Sequence, residues 1–223
     1  ELNLQPHEFF LRKNIQLYET IVVRHGLMAV GPTGGGKTSN LSCLSRALTM
    51  LKAAGIKGQN YEKVHHYKIN AKAITMDQLY GFFDPNTREF MDGQLPSIYR
   101  ACTEDFSTDR KFIIFDGPVD AIWIENMNTV LDDNKKLCLF SGEMIAMSDE
   151  MSMIFETEDL DVASPATISR VGVVYMEPLS LGVSPLFESW FDKLPEIVNE
   201  ESRTLLGNLV RTYCEPSMAY VKR

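Results

Sequence analysis

The chain has 223 residues, 44% of them hydrophobic, and its 22 basic against 30 acidic side chains give a formal charge of −8. That length allows one large domain, or a domain with a small companion, and the acidic balance argues against a general nucleic-acid surface, which needs clustered Lys and Arg. No apolar run approaches the ~20 residues of a membrane span, and the start at Glu1, without Met or a signal-peptide pattern, reads as an excised piece of a longer protein. Cys43, Cys102, Cys138 and Cys214 are scattered with no C-x-x-C pair, as expected of reduced thiols in an intracellular protein.

Residues 6–25 predict a helix with an imperfect apolar stripe through Phe10, Ile15, Leu17, Tyr18, Ile21 and Val22. Gly26 then leads into a buried strand at residues 27–30. Gly31-Pro32-Thr33-Gly34-Gly35-Gly36-Lys37-Thr38 follows and matches G-x-x-x-x-G-K-[ST] at every fixed position. Leu41, Leu44, Ala47, Leu48 and Leu51 recur at helical steps, so the motif lies between a strand and a helix. Asn40-Leu41-Ser42 is formally a glycosylation sequon, read as chance inside that helix. Gly55 and Gly58 end the regularity. Residues 64–69 form the second strand candidate, and Thr75 with Gln78 gives a capping-box signal for a short helix. Turn signals at Asp84-Pro85-Asn86 and Asp92-Gly93 frame Phe90 as a small hairpin, after which residues 95–103 return to helix.

The third strand is residues 111–116, Phe112-Ile113-Ile114-Phe115 and then Asp116. Residues 119–131 predict one helix crossing the surface. Ser141-Gly142-Glu143 turns a second hairpin between residues 137–139 and 144–147. Residues 152–155 are the fourth strand, residues 163–170 a short helix or turn, and residues 171–175 the fifth strand. Strands alternating with helices predict an α/β fold with a five-stranded parallel sheet flanked by helices. Pro178 marks a boundary, giving a large subdomain at residues 1–178 and the start of a small helical one at 179–223. In the latter Phe187, Trp190, Phe191 and Leu194 sit at helical spacing, as do Leu205, Leu206, Leu209, Val210 and Tyr213. Too few elements remain there to close a core, so this tail is expected to pack on the main domain.

The glycine-rich turn lets backbone N–H groups converge on a phosphate, aided by the partial positive charge of the helix N-terminus. Gly31 through Gly36 would form that cradle, Lys37 would reach the β- and γ-phosphates, and the Thr38 hydroxyl would ligate Mg²⁺. Asp116, ending an apolar strand, would orient the same Mg²⁺, through water. In ATPases of the AAA+ type a Glu follows this Asp and polarises the attacking water. Here Gly117 stands there, and losing a general base typically costs ~10²–10⁴ in rate. Asp120 and Glu125 are nearby acids that read better as a solvated helix face. Glu156, ending the fourth strand, has two readings: a sensor of the γ-phosphate, a place usually held by Asn, Ser or Thr, or a simple strand-end acid. A carboxylate there repels phosphate unless a cation intervenes.

Residues 116–135, Asp-Gly-Pro-Val-Asp-Ala-Ile-Trp-Ile-Glu-Asn-Met-Asn-Thr-Val-Leu-Asp-Asp-Asn-Lys, resemble the second AAA+ module of an axonemal dynein heavy chain. Residues 16–19 (Gln-Leu-Tyr-Glu), 74–81 (Ile-Thr-Met-Asp-Gln-Leu-Tyr-Gly) and 163–170 (Ala-Ser-Pro-Ala-Thr-Ile-Ser-Arg) agree, and the likeness runs to Pro178 and weakens beyond. The resemblance implies the P-loop AAA+ ATPase fold with two β-hairpin inserts and a truncated C-terminal helical subdomain. It implies ATP or ADP with Mg²⁺ as cofactors and a second module that holds ATP with little turnover. It places the module in a six-module ring with a linker that the hairpins face. The complete motor would engage the microtubule and the dynein intermediate and light chains, in the axoneme of cilia or flagella within the cytoplasmic cytoskeleton. No nucleic acid or membrane partner is implied. Arg170 would lie at the module edge, as an arginine finger for the neighbouring module. The family's sensor arginine has no assigned position here. Two other readings stand beside this one: an independently active P-loop ATPase with an unusual base, and a clamp-loader-like ATPase acting on DNA, which the acidic balance disfavours.

Overall fold

The computed structural model describes residues 2–221. Its centre is a five-stranded, wholly parallel sheet. In chain order the strands are β1 (Gly26–Val30), β2 (Val64–Ile69), β5 (Arg110–Asp116), β8 (Met151–Thr157) and β9 (Gly172–Tyr175). They lie side by side as β2-β5-β8-β1-β9, with β1 flanked by β8 and β9. A parallel sheet needs cover on both faces, and the alternation of side chains along each strand supplies two apolar faces. Phe112 and Ile114 join Leu27, Ala29 and Ile154 on one face. Ile113 and Phe115 join Met28, Val30, Met153 and Phe155 on the other.

Helices α1 (Glu8–Val23) and α2 (Lys37–Ala53) cover the first face with Leu17, Ile21, Leu41, Leu44 and Leu48. The buried row on α2 is narrower than its leucines predict: Ala47 faces out, and Ser45 takes the inward position. On the second face lie α3 (Met76–Tyr80), α4 (Gln94–Glu104), α5 (Ala121–Glu125) and α6 (Asn128–Leu131). There Phe115 stacks on Phe155 and Trp123, with ring centroids 5.0 and 5.4 Å apart. The expected capping box is present: Thr75 accepts from Gln78 N, and the Gln78 side chain accepts from Thr75 N.

One expectation fails and a second holds only in part. The single helix over residues 119–131 is two short ones, broken at Asn126 and Met127 where Met127 N bonds Ile124 O. They do not cross the surface: Trp123, Ile124, Met127, Val130 and Leu131 are all buried. The break lets both halves turn these side chains under the sheet. The C-terminal tail also differs. It holds α8 (Pro178–Leu181), α9 (Ser184–Phe191), α10 (Glu200–Leu209), a π-helical turn at Val210–Cys214 and α11 (Glu215–Val221). Leu181 is buried, and the amides of Asn3 and Gln5 reach Ser189 O and the Asp192 carboxylate. Beyond that point the stripe predicted to pack inward stays exposed at Leu205, Leu209 and Tyr213. The Arg203 guanidinium instead ties α10 to α9 through the carbonyls of Phe191, Leu194 and Val198.

Both hairpins form, as β3 (Gly81–Phe83) with β4 (Phe90–Asp92) and as β6 (Lys136–Cys138) with β7 (Met144–Ala146). The Asp84 carboxylate closes the first turn by accepting from Asn86 N and Thr87 N. Arg100 on α4 joins the two hairpins, donating to Asp92 of one and Glu143 of the other.

Candidate nucleotide-binding site

The site lies at the carboxyl end of the sheet, where α/β folds place their ligands. The loop after β1 turns sharply at Gly31 (φ +150°), where a Cβ would come within 2.0 Å of Met176 O. Only glycine fits there, because the chain leaving β9 is fastened to β1 by Met176 N donating to Val30 O at 2.7 Å. The loop ends at Gly36, which is left-handed and precedes the first turn of α2. The N–H groups at the start of a helix have no partner within it, and Lys37, Thr38 and Ser39 of that first turn line a cavity.

That cavity, of about 390 Å³, is lined by Thr33, Gly34, Gly36, Lys37, Thr38 and Ser39, together with Asp116 and Glu156. Of the residues expected at the phosphates, Gly31, Pro32 and Gly35 do not line it. Gly31 and Gly35 are turned against Met176 O, and Pro32 contributes through its carbonyl, which accepts from Gly35 N and from Lys37 Nζ at 3.2 Å each. The Lys37 ammonium also donates to Gly31 O, so its stem lies back along the loop.

Asp116 and Glu156 stand side by side on paired strands β5 and β8. Asp116 is exposed, while Glu156 is 4% exposed. The Thr38 hydroxyl donates to Glu156 Oε2, and Glu156 Oε1 is buried without a hydrogen-bond partner among the described residues. Burial pushes the Glu156 carboxyl above its ordinary range. The Thr38 bond opposes that shift and the neighbouring Asp116 charge adds to it. A hydroxyl and two carboxylates, one with an orphaned oxygen, suit a hard, oxygen-seeking cation such as Mg²⁺.

Gly117 has φ +146°, and its N–H donates to Glu156 O at 3.2 Å. Asp120 is engaged elsewhere as the cap of α5, accepting from Ile122 N at 2.8 Å. Neither it nor Glu125, exposed on α5, lines the cavity. Arg170 lies at the other end of the sheet: α7 (Pro165–Arg170) leads into β9, whose Gly172 pairs with Leu27 at the start of β1. Its guanidinium is ion-paired with Asp132 and donates to Ala166 O at 2.7 Å.

The motif left one part of the site unseen. The cavity's apolar wall is Leu4 and Phe10 from the N-terminal segment with Leu181, Pro185 and Leu186 from the tail. This wall offers an apolar surface for a flat ring beside a polar phosphate end, the mixture expected of a small-molecule site.

The family model "AAA domain (dynein-related subfamily)" matches residues 26–171. A second, "Hydrolytic ATP binding site of dynein motor region", matches residues 1–38, which stop short of Asp116 and Gly117. The chain is 54% identical to dynein axonemal heavy chain 1 of Rattus norvegicus over 99% of its length. It is 52% identical to dynein axonemal heavy chain 3 of Homo sapiens and 49% identical to dynein axonemal heavy chain 12 of Rattus norvegicus, again over 99%. It spans only 5, 5 and 7% of those three proteins.

Proposed function

The chain belongs to the dynein-related subfamily of AAA domains, and from that premise we propose that it is the second ring module of an axonemal dynein heavy chain, holding Mg·ATP with little or no hydrolysis. The observation that carries this reading is Gly117 directly after Asp116, beside an intact phosphate loop. Thr33, Gly34, Gly36, Lys37, Thr38 and Asp116 surround one cavity, and among the described residues no carboxylate beyond Asp116 and Glu156 lines it. Lys37 would bind the β- and γ-phosphates, and Thr38 and Asp116 would hold Mg²⁺, which would supply positive charge to offset the negative charge of the phosphates. The wall of Leu4, Phe10, Leu181 and Leu186 would take the base.

In this reading Arg170 serves the neighbouring module, since it stands at the far end of the sheet from its own phosphate loop. The hairpins, pinned together by Arg100, would meet the linker with Phe82, Phe83 and Met91, which are exposed. The complete motor would act on microtubules in the axoneme. The test is thermal unfolding with and without Mg·ATP. At about 100 times Kd, binding stabilises by about 2.7 kcal/mol, and Lys37→Ala is expected to erase that gain. An unchanged melt in the wild-type chain, with refolding shown, refutes the site.

An independently active ATPase is the second reading. The match at residues 1–38 to a model described as hydrolytic favours it. Phosphate release from the chain itself separates the two.

A further inference from the structure

We propose that Glu156 makes this site selective for the magnesium complex of a nucleoside triphosphate over the free nucleotide, by holding the cation when it is present and repelling the phosphates when it is not. This rests on the loop being a phosphate site, as argued above. The motif requires one strand-end carboxylate, and Asp116 fills that part. Glu156 is a second one, on the adjoining strand and in register with Asp116.

Three features set Glu156 apart from a solvated strand-end acid. It is 4% exposed and lines the phosphate cavity. One of its oxygens already accepts from Thr38, the hydroxyl placed to ligate the metal. Its other oxygen is buried with no hydrogen-bond partner among the described residues, an arrangement that is costly for a carboxylate unless a cation or donor completes it. Lys37 does not complete it, because its ammonium is directed to the carbonyls of Gly31 and Pro32. A divalent cation shared by Glu156, Asp116, Thr38 and the phosphates would satisfy the orphaned oxygen and reverse the sign of the local field. Without it, two carboxylates face a polyanion. One unit of like charge at roughly 5 Å and an effective dielectric near 20 amounts to a factor on the order of 100 in affinity.

The experiment is an equilibrium titration of a ribose-labelled fluorescent ATP into the 223-residue chain, once in Mg²⁺ and once in EDTA. Wild type is expected to lose on the order of 100-fold in affinity when Mg²⁺ is removed. Glu156→Gln, neutral and nearly the same shape, is expected to lose less than about 10-fold, and Glu156→Asp to keep the wild-type dependence. Circular dichroism checks each fold; should the glutamine variant not fold, Glu156→Met replaces it as a neutral side chain of the same length. Equal wild-type affinity in Mg²⁺ and EDTA overturns the inference, as does a neutral variant that depends on Mg²⁺ as steeply as wild type. Either result leaves the phosphate site standing. Absence of binding in Mg²⁺ removes the site itself, and the inference with it.

Discussion

Replacing Gly117 separates two consequences of one residue, its missing carboxylate and its backbone. The φ of +146° is a conformation that residues with a Cβ rarely adopt, and holding one there costs of order 1–3 kcal/mol. Space is not the obstacle, since a Cβ would meet the Asn70 side chain, with Oδ1 nearest at 3.4 Å. The alternative, rotating the peptide to a comfortable φ, loses the bond from Gly117 N to Glu156 O, worth about 1 kcal/mol. Gly117→Ala is therefore expected to destabilise by about 1–3 kcal/mol, or roughly 3–10 °C in melting temperature for a domain of this size. Gly117→Glu carries the same backbone cost and adds a carboxylate beside Asp116. Its phosphate release is expected to rise above wild type, but by less than the ~10²–10⁴ of a well-placed base, because the strained backbone does not hold the carboxylate on the attacking water. Melting curves and a phosphate-release assay on wild type and both variants decide the matter. An alanine variant as stable as wild type refutes the backbone argument. A glutamate variant with no more turnover than wild type refutes the claim that the missing carboxylate limits hydrolysis.

In the ring that we propose for this chain, Arg170→Ala is expected to lower hydrolysis by the adjoining module by about 10³–10⁵ and to leave the proposed nucleotide binding at Lys37 unchanged. Wild-type ATPase activity in that variant would reduce Arg170 to the partner of Asp132. Arg100→Ala should speed amide hydrogen exchange in both hairpins together while β1, β5 and β8 stay protected, and unaltered hairpin exchange would show that the bridge does not restrain them. His66 is held below its ordinary value of 6.5 by burial and then by the charges of Lys68 and His65. The unfolded chain therefore binds the proton more readily, so this contribution to stability is full above about pH 6.5 and is lost as pH falls toward the depressed folded value. The melting temperature of wild type relative to His66→Asn should drop between about pH 7 and pH 5.5, and a constant difference would refute the shift.

The central strands were legible because burial on both faces leaves unbroken apolar runs: Phe112-Ile113-Ile114-Phe115 reads as a strand without any partner in view. The glycine-rich loop between β1 and α2 was legible because its glycines, with Gly31, Gly34 and Gly36 at positive φ, stand in one contiguous run with Lys37. The capping box at Thr75 and Gln78 is likewise a contact three residues apart. What escaped depends on distant pairings. The wall of the cavity joins Leu4 and Phe10 to Leu181 and Leu186, and nothing near either segment signals the other. The split of residues 119–131 was hidden because Trp123, Ile124, Met127, Val130 and Leu131 keep helical spacing through the break, which is set by packing under the sheet. The tail's apolar spacing was real, yet it did not reveal that Leu205, Leu209 and Tyr213 stay exposed. For Glu156 the position was visible in the sequence, and its bond to Thr38 and orphaned oxygen were not.

The central claim, binding of Mg·ATP without turnover, is tested most directly by the nucleotide the chain retains. The 223-residue chain is loaded with Mg·ATP, freed of excess nucleotide, held for several hours and denatured, and the released nucleotide is identified by chromatography. Intact ATP, with Lys37→Ala retaining none, is the expected result. ADP accompanied by an equal amount of free phosphate would show that the site cleaves what it binds, and would contradict the account.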